Sequence, residues 1–118
     1  MMLLEIKAQL VENGLNIELK EGEYIYHEKD FPDFLCWIEY GKILCKNNAG
    51  KEFVVDNLPL VGLEDFLLGQ PYKLSTIALS KVNAILIEKD KALEVLLQNK
   101  KQVFQYIFSQ ASFDCNYE

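Results

Sequence analysis

The sequence predicts a single, mainly β domain, an antiparallel sandwich or barrel with helices at both ends of the chain. Residues 16 to 88 form short runs rich in Val, Ile, Tyr, Phe and Trp, which turn residues interrupt about every ten positions. Longer patterns of helical spacing lie towards the two ends. With 118 residues, half of them hydrophobic, the chain can bury a core of its own. We therefore expect one domain over residues 1–118 with antiparallel strands.

Residues 1–14 are predicted to form a short amphipathic helix. The apolar residues that recur close to helical spacing are Leu3, Leu4, Ile6, Leu10 and Val11. Gly14 follows at the position where a helix commonly ends on a left-handed residue.

Residues 15–89 are predicted to hold the strands. We place them near Asn16–Leu19, Tyr24–His27, Phe34–Glu39, Lys42–Lys46, Glu52–Asn57, Ser75–Leu79 and Ala84–Glu88. The segments between them are rich in Gly, Asn, Asp and Pro, which are the residues that tight turns prefer.

Residues 90–113 are predicted to form two further helices. Asp90 is a good N-cap for the first of them, and apolar residues follow it on one face. The second carries a broad apolar stripe formed by Val103, Phe104, Ile107, Phe108 and Ala111. This stripe either packs on the strands of its own chain or forms the seam of a homodimer.

Composition and charge exclude several classes of protein. A net charge of −6 argues against direct nucleic-acid binding, whose affinity rests largely on cations that neutralise phosphates. The three cysteines contain no CxxC pair, and no long apolar run predicts a membrane span. We expect a soluble, cytoplasmic protein with no membrane association.

Catalytic and metal sites are not expected, and neither is a cofactor. Metal-dependent enzymes built on jelly rolls need two or three His residues with a carboxylate, and this chain has only His27. An iron–sulfur centre would need about four thiolates. Cys36, between Leu35 and Trp37, is most simply a buried small apolar residue.

The segment from Gly62 to Lys73 has the layout of a loop that holds a phosphate. A Gly before a short helix lets free backbone N–H groups point at an anion. Here Glu64 and Asp65 occupy the first turn, where carboxylates satisfy the helix dipole and repel a phosphate. An ordinary acidic first turn is the alternative interpretation.

Six landmarks in order resemble a known family. They are Gly22-Glu23, Glu28-Lys29-Asp30, Ile38-Glu39-Tyr40-Gly41-Lys42-Ile43, Gly50-Lys51-Glu52, Val61-Gly62 and Ser75-Thr76-Ile77-Ala78-Leu79. Together they resemble the cyclic-nucleotide-binding sensor domain of bacterial regulators of the catabolite-activator and fumarate-nitrate-reductase type, over about residues 15 to 110. The resemblance implies a double-stranded β-helix, or jelly-roll barrel, with an N-terminal helix and a last helix that pairs across a dimer.

The resemblance also implies a phosphate-binding cassette, which this chain carries in altered form. Family members that bind cyclic nucleotide have a Glu directly after the cassette Gly and an Arg about ten residues later. Gly62 matches, but Leu63 follows it, Glu64 comes one place late, and Lys73 lies closest to the Arg. Lys lacks the two-point contact of Arg with phosphate, so we expect a loss of roughly 3–6 kcal/mol of cyclic-nucleotide affinity.

The ligand-binding residues expected from this carry-over are Gly62, Glu64, Lys73, Ser75 and Thr76. Cyclic AMP is not the expected ligand, and the identity of any effector stays open.

The predicted function is that of a non-catalytic sensor module, the effector-binding domain of a catabolite-activator-type transcription regulator. We expect a homodimer through the last helix. DNA binding is expected only if a helix-turn-helix domain follows in a longer protein, because the residues after Asp90 are used by the two helices. The alternative is a stand-alone, ligand-free domain for dimerisation or protein interaction.

Overall fold

Short strands occupy most of the chain between its helical ends. The computed structural model describes residues 4–12, 14–56 and 58–115, with side chains from Ile6 to Phe108. The elements in chain order are α1 (Leu4–Val11), β1 (Leu15–Leu19), β2 (Tyr24–Tyr26), β3 (Phe34–Tyr40), β4 (Ile43–Lys46), β5 (Glu52–Val55), α2 (Leu63–Leu68), β6 (Ser75–Ala78), β7 (Val82–Glu88), α3 (Lys89–Gln98) and α4 (Lys100–Cys115).

The strands form two antiparallel sheets. One has the order β1-β7-β3, and the other has the order β2-β6-β4-β5. In the first sheet Phe34 pairs with Glu88 and Trp37 with Ile85, and the register shifts between Ile38 and Tyr40. The prediction of a mainly β, antiparallel fold with flanking helices is confirmed.

The predicted barrel is replaced by two separate sheets. Within the described residues no ladder joins the edge strands of one sheet to those of the other, so the sheets do not close into a barrel. The pairing of strands β7 and β6, which lie inside the two sheets, explains why the sheets stay separate. β7 bonds to β1 and β3, whereas β6 bonds to β2 and β4, and each group is complete without the other.

Strand β3 shows how the layers are stacked. Leu35 and Trp37 lie in the apolar cluster that the helices cover, which also contains Ile6 of α1. Cys36 and Ile38, on the opposite face, lie in the cluster that includes residues of the second sheet. Because side chains of a strand alternate between its faces, β3 is buried on both sides. Its sheet is the middle layer, with helices on one face and the second sheet on the other.

The start of α3 differs from the prediction. Asp90 does not cap the helix, because β7 runs directly into α3 and the N-cap is Glu88, which makes no side-chain capping bond. Asp90 instead lies in the first turn, where its negative charge interacts favourably with the positive, N-terminal end of the helix dipole. Leu3, which was predicted to belong to the first helix, lies outside the described residues.

Candidate functional site

Helix α2 is bracketed by two glycines whose backbone conformations require them. Gly62 at the N-cap has φ of 76°, and Gly69 at the C-cap has φ of 64°. A Cβ atom on Gly62 would lie 3.0 Å from a ring carbon of Tyr72. The tight turn and the close ring therefore both favour glycine at position 62.

A cavity of about 100 Å³ lies beside α2. Its apolar wall comes from strands β4 and β5, from the segments around α2 and from α4, and it includes Cys45, Phe53, Val55, Leu60, Leu74 and Ile107. Its charged groups are Glu64, Asp65 and Lys73. We call this space the α2 cavity.

The structure brings three of the five predicted ligand residues to the α2 cavity. Gly62, Glu64 and Lys73 line it, and the side chains of Glu64 and Lys73 are largely exposed. Ser75 and Thr76 do not line it, because both are buried in strand β6.

The hydroxyls of Ser75 and Thr76 bond to the backbone. The N–H of Glu28 donates to Ser75 Oγ at 2.8 Å, and the N–H of Tyr26 donates to Thr76 Oγ1 at 3.1 Å. The register between β2 and β6 shifts at this point. The hydroxyls accept bonds from backbone donors where the ladder is irregular, so they act as structural groups.

Asp65 has a role that the sequence did not reveal. Its side chain is only 8% exposed. Oδ1 accepts a hydrogen bond from Nε2 of Gln70 at 2.6 Å, and Oδ2 accepts one from the N–H of Lys73 at 3.2 Å. Asp65 therefore ties α2 to the returning chain. Helical spacing does not show this, because the partners lie beyond the end of the helix.

Tyr72, which follows α2 in the chain, packs against Tyr26 of strand β2. Its ring stacks on that of Tyr26, with centroids 4.1 Å apart. Burial raises the pKa of Tyr72 and of Tyr26 well above the usual range for tyrosine. Burial also raises the pKa of the nearby Cys36 thiol to about 12. These groups therefore stay protonated at neutral pH, so none of them is present as a phenolate or a thiolate.

The α2 cavity is small and is lined by charged groups of both signs. Among the described residues that line it, Lys73 is the one cation, and it faces two carboxylates. Its volume of about 100 Å³ is also well below the roughly 300–1,000 Å³ of typical small-molecule sites.

Helix α4 divides the predicted apolar stripe between two faces. Val103 is buried and Ile107 lines the α2 cavity, whereas Phe104 and Phe108 are 56% and 70% exposed. The side chain of Ala111 lies outside the described part of the chain.

Tyr106 connects α4 to the segment before the α2 cavity. Its hydroxyl donates to the carbonyl oxygen of Leu60 in a short hydrogen bond and accepts one from the N–H of Leu60 at 3.3 Å. Leu60 also lines the α2 cavity. Two adjacent residues of α4, Tyr106 and Ile107, therefore touch the walls of the site.

The described residues offer no group of three or more His, Cys, Asp or Glu side chains that could hold a metal ion. His27 instead stacks on the ring of Tyr24, with centroids 4.3 Å apart. In the described part of the chain, no helix has the length and apolar character needed to cross a membrane.

The family profile of the cyclic nucleotide-binding domain matches residues 16–99 of the chain. No curated protein sequence matches the chain significantly.

Solved structures of bacterial regulators share the fold. The chain aligns with the Thermus thermophilus catabolite activator protein at a TM-score of 0.71 and 14% identity, covering 96% of this chain and 55% of that one. It aligns with the N-terminal domain of a Streptomyces coelicolor transcriptional regulator at a TM-score of 0.65 and 19% identity, and the alignment covers 97% of this chain and 85% of that one. It aligns with the sensor domain of the transcriptional regulator DNR from Pseudomonas aeruginosa at a TM-score of 0.68 and 12% identity, and the alignment covers 95% of this chain and 82% of that one.

Proposed function

Because the chain belongs to the cyclic nucleotide-binding domain family, we propose that it is the sensor module of a catabolite-activator-type transcription regulator, with an effector other than cyclic AMP. The observation that carries this proposal is the contact of α4 with the α2 cavity. Ile107 lines the cavity, and Tyr106 bonds to Leu60 in its wall. An occupant of the cavity would meet the helix directly.

The composition of the α2 cavity supports a small effector that is mainly apolar. Cys45, Phe53, Val55 and Leu74 supply apolar surface, and Lys73 supplies one cation at the rim. One acidic or polar group on an aromatic or aliphatic body suits this arrangement better than a nucleotide does. Glu64 and Asp65 disfavour a second negative charge.

Helix α4 would transmit occupancy by changing how it packs. A ligand shifts an equilibrium only if it binds one arrangement better than another. A ligand that fills the α2 cavity contacts Ile107 and changes the packing of the helix face to which Tyr106 belongs. The outer face of the same helix, with Phe104 and Phe108, would move with it.

The same outer face is proposed as the seam of a homodimer. Phe104 and Phe108 expose large apolar surfaces on one helix. Val103 and Ile107 pack on their own chain, so the proposed seam is narrower than the stripe in the sequence. A second copy of the chain would bury both phenylalanines.

A non-catalytic role is part of the proposal. In the described residues the strongly perturbed Tyr26, Tyr72 and Cys36 are all held protonated by burial. Burial therefore disfavours the phenolate and thiolate forms that a nucleophile at these positions would need.

The second candidate is a ligand-free domain that supports a dimer or a partner surface. The small volume of the α2 cavity, about 100 Å³, favours this alternative. A thermal-shift screen with small carboxylic acids, aromatic acids and inorganic anions separates the two candidates. The sensor proposal predicts stabilisation by at least one compound, because a ligand that binds the folded state raises its melting temperature.

Lys73→Ala should abolish that stabilisation, and Lys91→Ala on the exposed face of α3 is the matched control. If no compound shifts the melting temperature, the ligand-free candidate is favoured. A shift that survives Lys73→Ala, or one that Lys91→Ala abolishes as well, would contradict the proposed site.

A further inference from the structure

A second cleft lies on the side of Tyr72 that faces the loop between β2 and β3. Its volume is about 340 Å³, within the range of small-molecule sites. It shares no lining residue with the α2 cavity. We call it the aromatic cleft, because the rings of Tyr26, His27, Phe31, Phe34 and Tyr72 line it.

Two carboxylates accompany these rings. Asp30 and Asp33 line the aromatic cleft, and no Lys or Arg is among the described residues that do so. The ion pairs found in the described residues, Lys7 with Glu39 and Lys81 with Glu18, do not involve them. The cleft therefore holds two carboxylates that form no ion pair with a Lys or Arg of the described residues.

Aromatic faces add to this attraction for cations. The face of a ring carries negative partial charge, so an ammonium or guanidinium group over it is attracted. Phe31 is 64% exposed at the mouth of the cleft, a large apolar surface that nothing in the described chain covers. Rings and carboxylates on one cleft form the combination that recognises organic cations.

The loop that carries these groups is held in place by the backbone. The N–H of Lys29 donates to the carbonyl of Tyr72 at 2.8 Å, and the N–H of Tyr72 donates to the carbonyl of Asp30 at 3.0 Å. Lys29 has φ of 76°, a conformation that residues other than glycine rarely adopt. These bonds hold the backbone of the loop against the segment that carries Tyr72, so less backbone ordering has to accompany binding.

We propose that the aromatic cleft binds an organic cation, an aliphatic amine or guanidinium compound whose apolar part lies against Phe31 and Phe34 and whose charge lies near Asp30 and Asp33. The described residues provide no group of three metal-ligating side chains, so the chemistry favours an organic cation over a metal ion. This site is independent of the effector proposed for the α2 cavity.

A pair of matched probes tests the proposal. n-Butylguanidinium and n-butylurea have nearly the same shape, but only the first is charged. Titration followed by NMR should show saturable binding of n-butylguanidinium with a dissociation constant of about 1 mM or tighter, and weaker binding at high salt. n-Butylurea should bind at least about tenfold more weakly. Equal binding of the two probes, or no saturable binding of n-butylguanidinium, would overturn the proposal.

Variants assign the binding to the cleft. Phe31→Ala should weaken n-butylguanidinium about fivefold, and Asp30→Asn combined with Asp33→Asn should weaken it about tenfold or more. Tyr40→Ala and Asp56→Asn, at exposed positions outside the cleft, are the controls and should bind like the unchanged chain. Circular dichroism checks that every variant is folded. Folded cleft variants that bind like the controls would contradict the assignment.

A peptide arm distinguishes the source of the cation. If the N-acetylated tripeptide amide Gly-Arg-Gly, in which the arginine side chain is the one cation, binds at least about tenfold tighter than n-butylguanidinium, the cleft takes an arginine side chain of a protein partner. If the tripeptide binds equally or more weakly, the cleft takes a free small cation. Either result supports an organic-cation site, provided that the cleft variants weaken the binding.

Discussion

The adjacent residues Glu64 and Asp65 both carry a carboxylate, but their different surroundings give them different roles. In the sequence they are equivalent members of an acidic first turn. In the structure Glu64 is exposed, whereas Asp65 is buried and accepts hydrogen bonds from Gln70 and Lys73. Only the path of the chain after Gly69 separates the two roles, and no local pattern encodes that path.

Asp65→Ala should therefore destabilise the domain much more than Glu64→Ala. Removing the Asp65 carboxylate leaves the donors of Gln70 and Lys73 without a partner, which should cost about 1–3 kcal/mol. Glu64→Ala at an exposed position should change the free energy of unfolding by less than about 0.5 kcal/mol. Urea denaturation of the two variants measures the difference. Equal losses would show that Asp65 does not anchor the segment.

Cys36 is predictable from sequence in its role but not in its surroundings. Its apolar neighbours indicate a buried residue, and its 1% exposure confirms that interpretation. The tyrosine whose hydroxyl accepts the Cys36 N–H bond, Tyr26, comes from the other sheet and could not be assigned from the pattern.

Alkaline pH should destabilise the domain partly through Cys36. Burial raises the pKa of this thiol from 9.0 to about 12, so the unfolded chain releases the proton more readily. The contribution of the thiol to stability is thus complete below about pH 9 and is lost as the pH rises towards about 12. Burial raises the pKa of Tyr26 and Tyr72 as well, and both add to the loss.

Urea titrations at several alkaline pH values measure this effect. The free energy of unfolding should fall above about pH 9, and it should fall less steeply in Cys36→Ala. The comparison uses the slopes, because the alanine variant also loses packing at every pH. Parallel curves for the two proteins would rule out a contribution from the thiol.

At the scale of elements, the sequence predicts helix α4 but does not predict which of its apolar residues pack against the chain itself. The broad apolar stripe that begins at Val103 and continues through Phe108 correctly indicates a helix. Its spacing does not say which residues face the chain itself. That depends on where the segment before α2 lies, since Leu60 there bonds to the hydroxyl of Tyr106.

Tyr106→Phe tests the connection between α4 and this segment. The substitution keeps the ring but removes the hydroxyl that bonds to both backbone groups of Leu60. We expect a loss of about 1–2 kcal/mol in the free energy of unfolding. Tyr40→Phe, at an exposed position on β3, is the control and should be close to neutral. A neutral Tyr106→Phe would mean that water replaces the bond.

At the scale of the whole molecule, the strand-rich region, its turns and the flanking helices were predictable, and the pairing was not. The continuous apolar run from Phe34 to Ile38 indicates a buried strand. Its partner β7 lies far along the chain, and β7 also pairs with β1. Such long-range pairing leaves no local signal, so the residues alone left both a sandwich and a barrel open, and the described strands form two separate sheets.

The proposed homodimer is tested by charge at its seam. Phe104→Glu with Phe108→Glu should convert a dimer into a monomer, because a like charge on each copy would face its partner. Sedimentation velocity at tens of micromolar measures the change. Leu68→Glu, on an exposed apolar residue of α2, is the control and should leave the dimer intact. An unchanged chain that sediments as a monomer would contradict the proposed seam.

Cyclic AMP is proposed not to be the effector of this family member. Calorimetric titration of the chain with cyclic AMP tests this proposal most directly. We predict no saturable binding up to about 1 mM ligand. Among the described residues that line the α2 cavity, Lys73 is the one cation and two carboxylates accompany it, and the volume of the cavity is small. Saturable binding of cyclic AMP with a dissociation constant of about 1 mM or tighter would contradict this proposal.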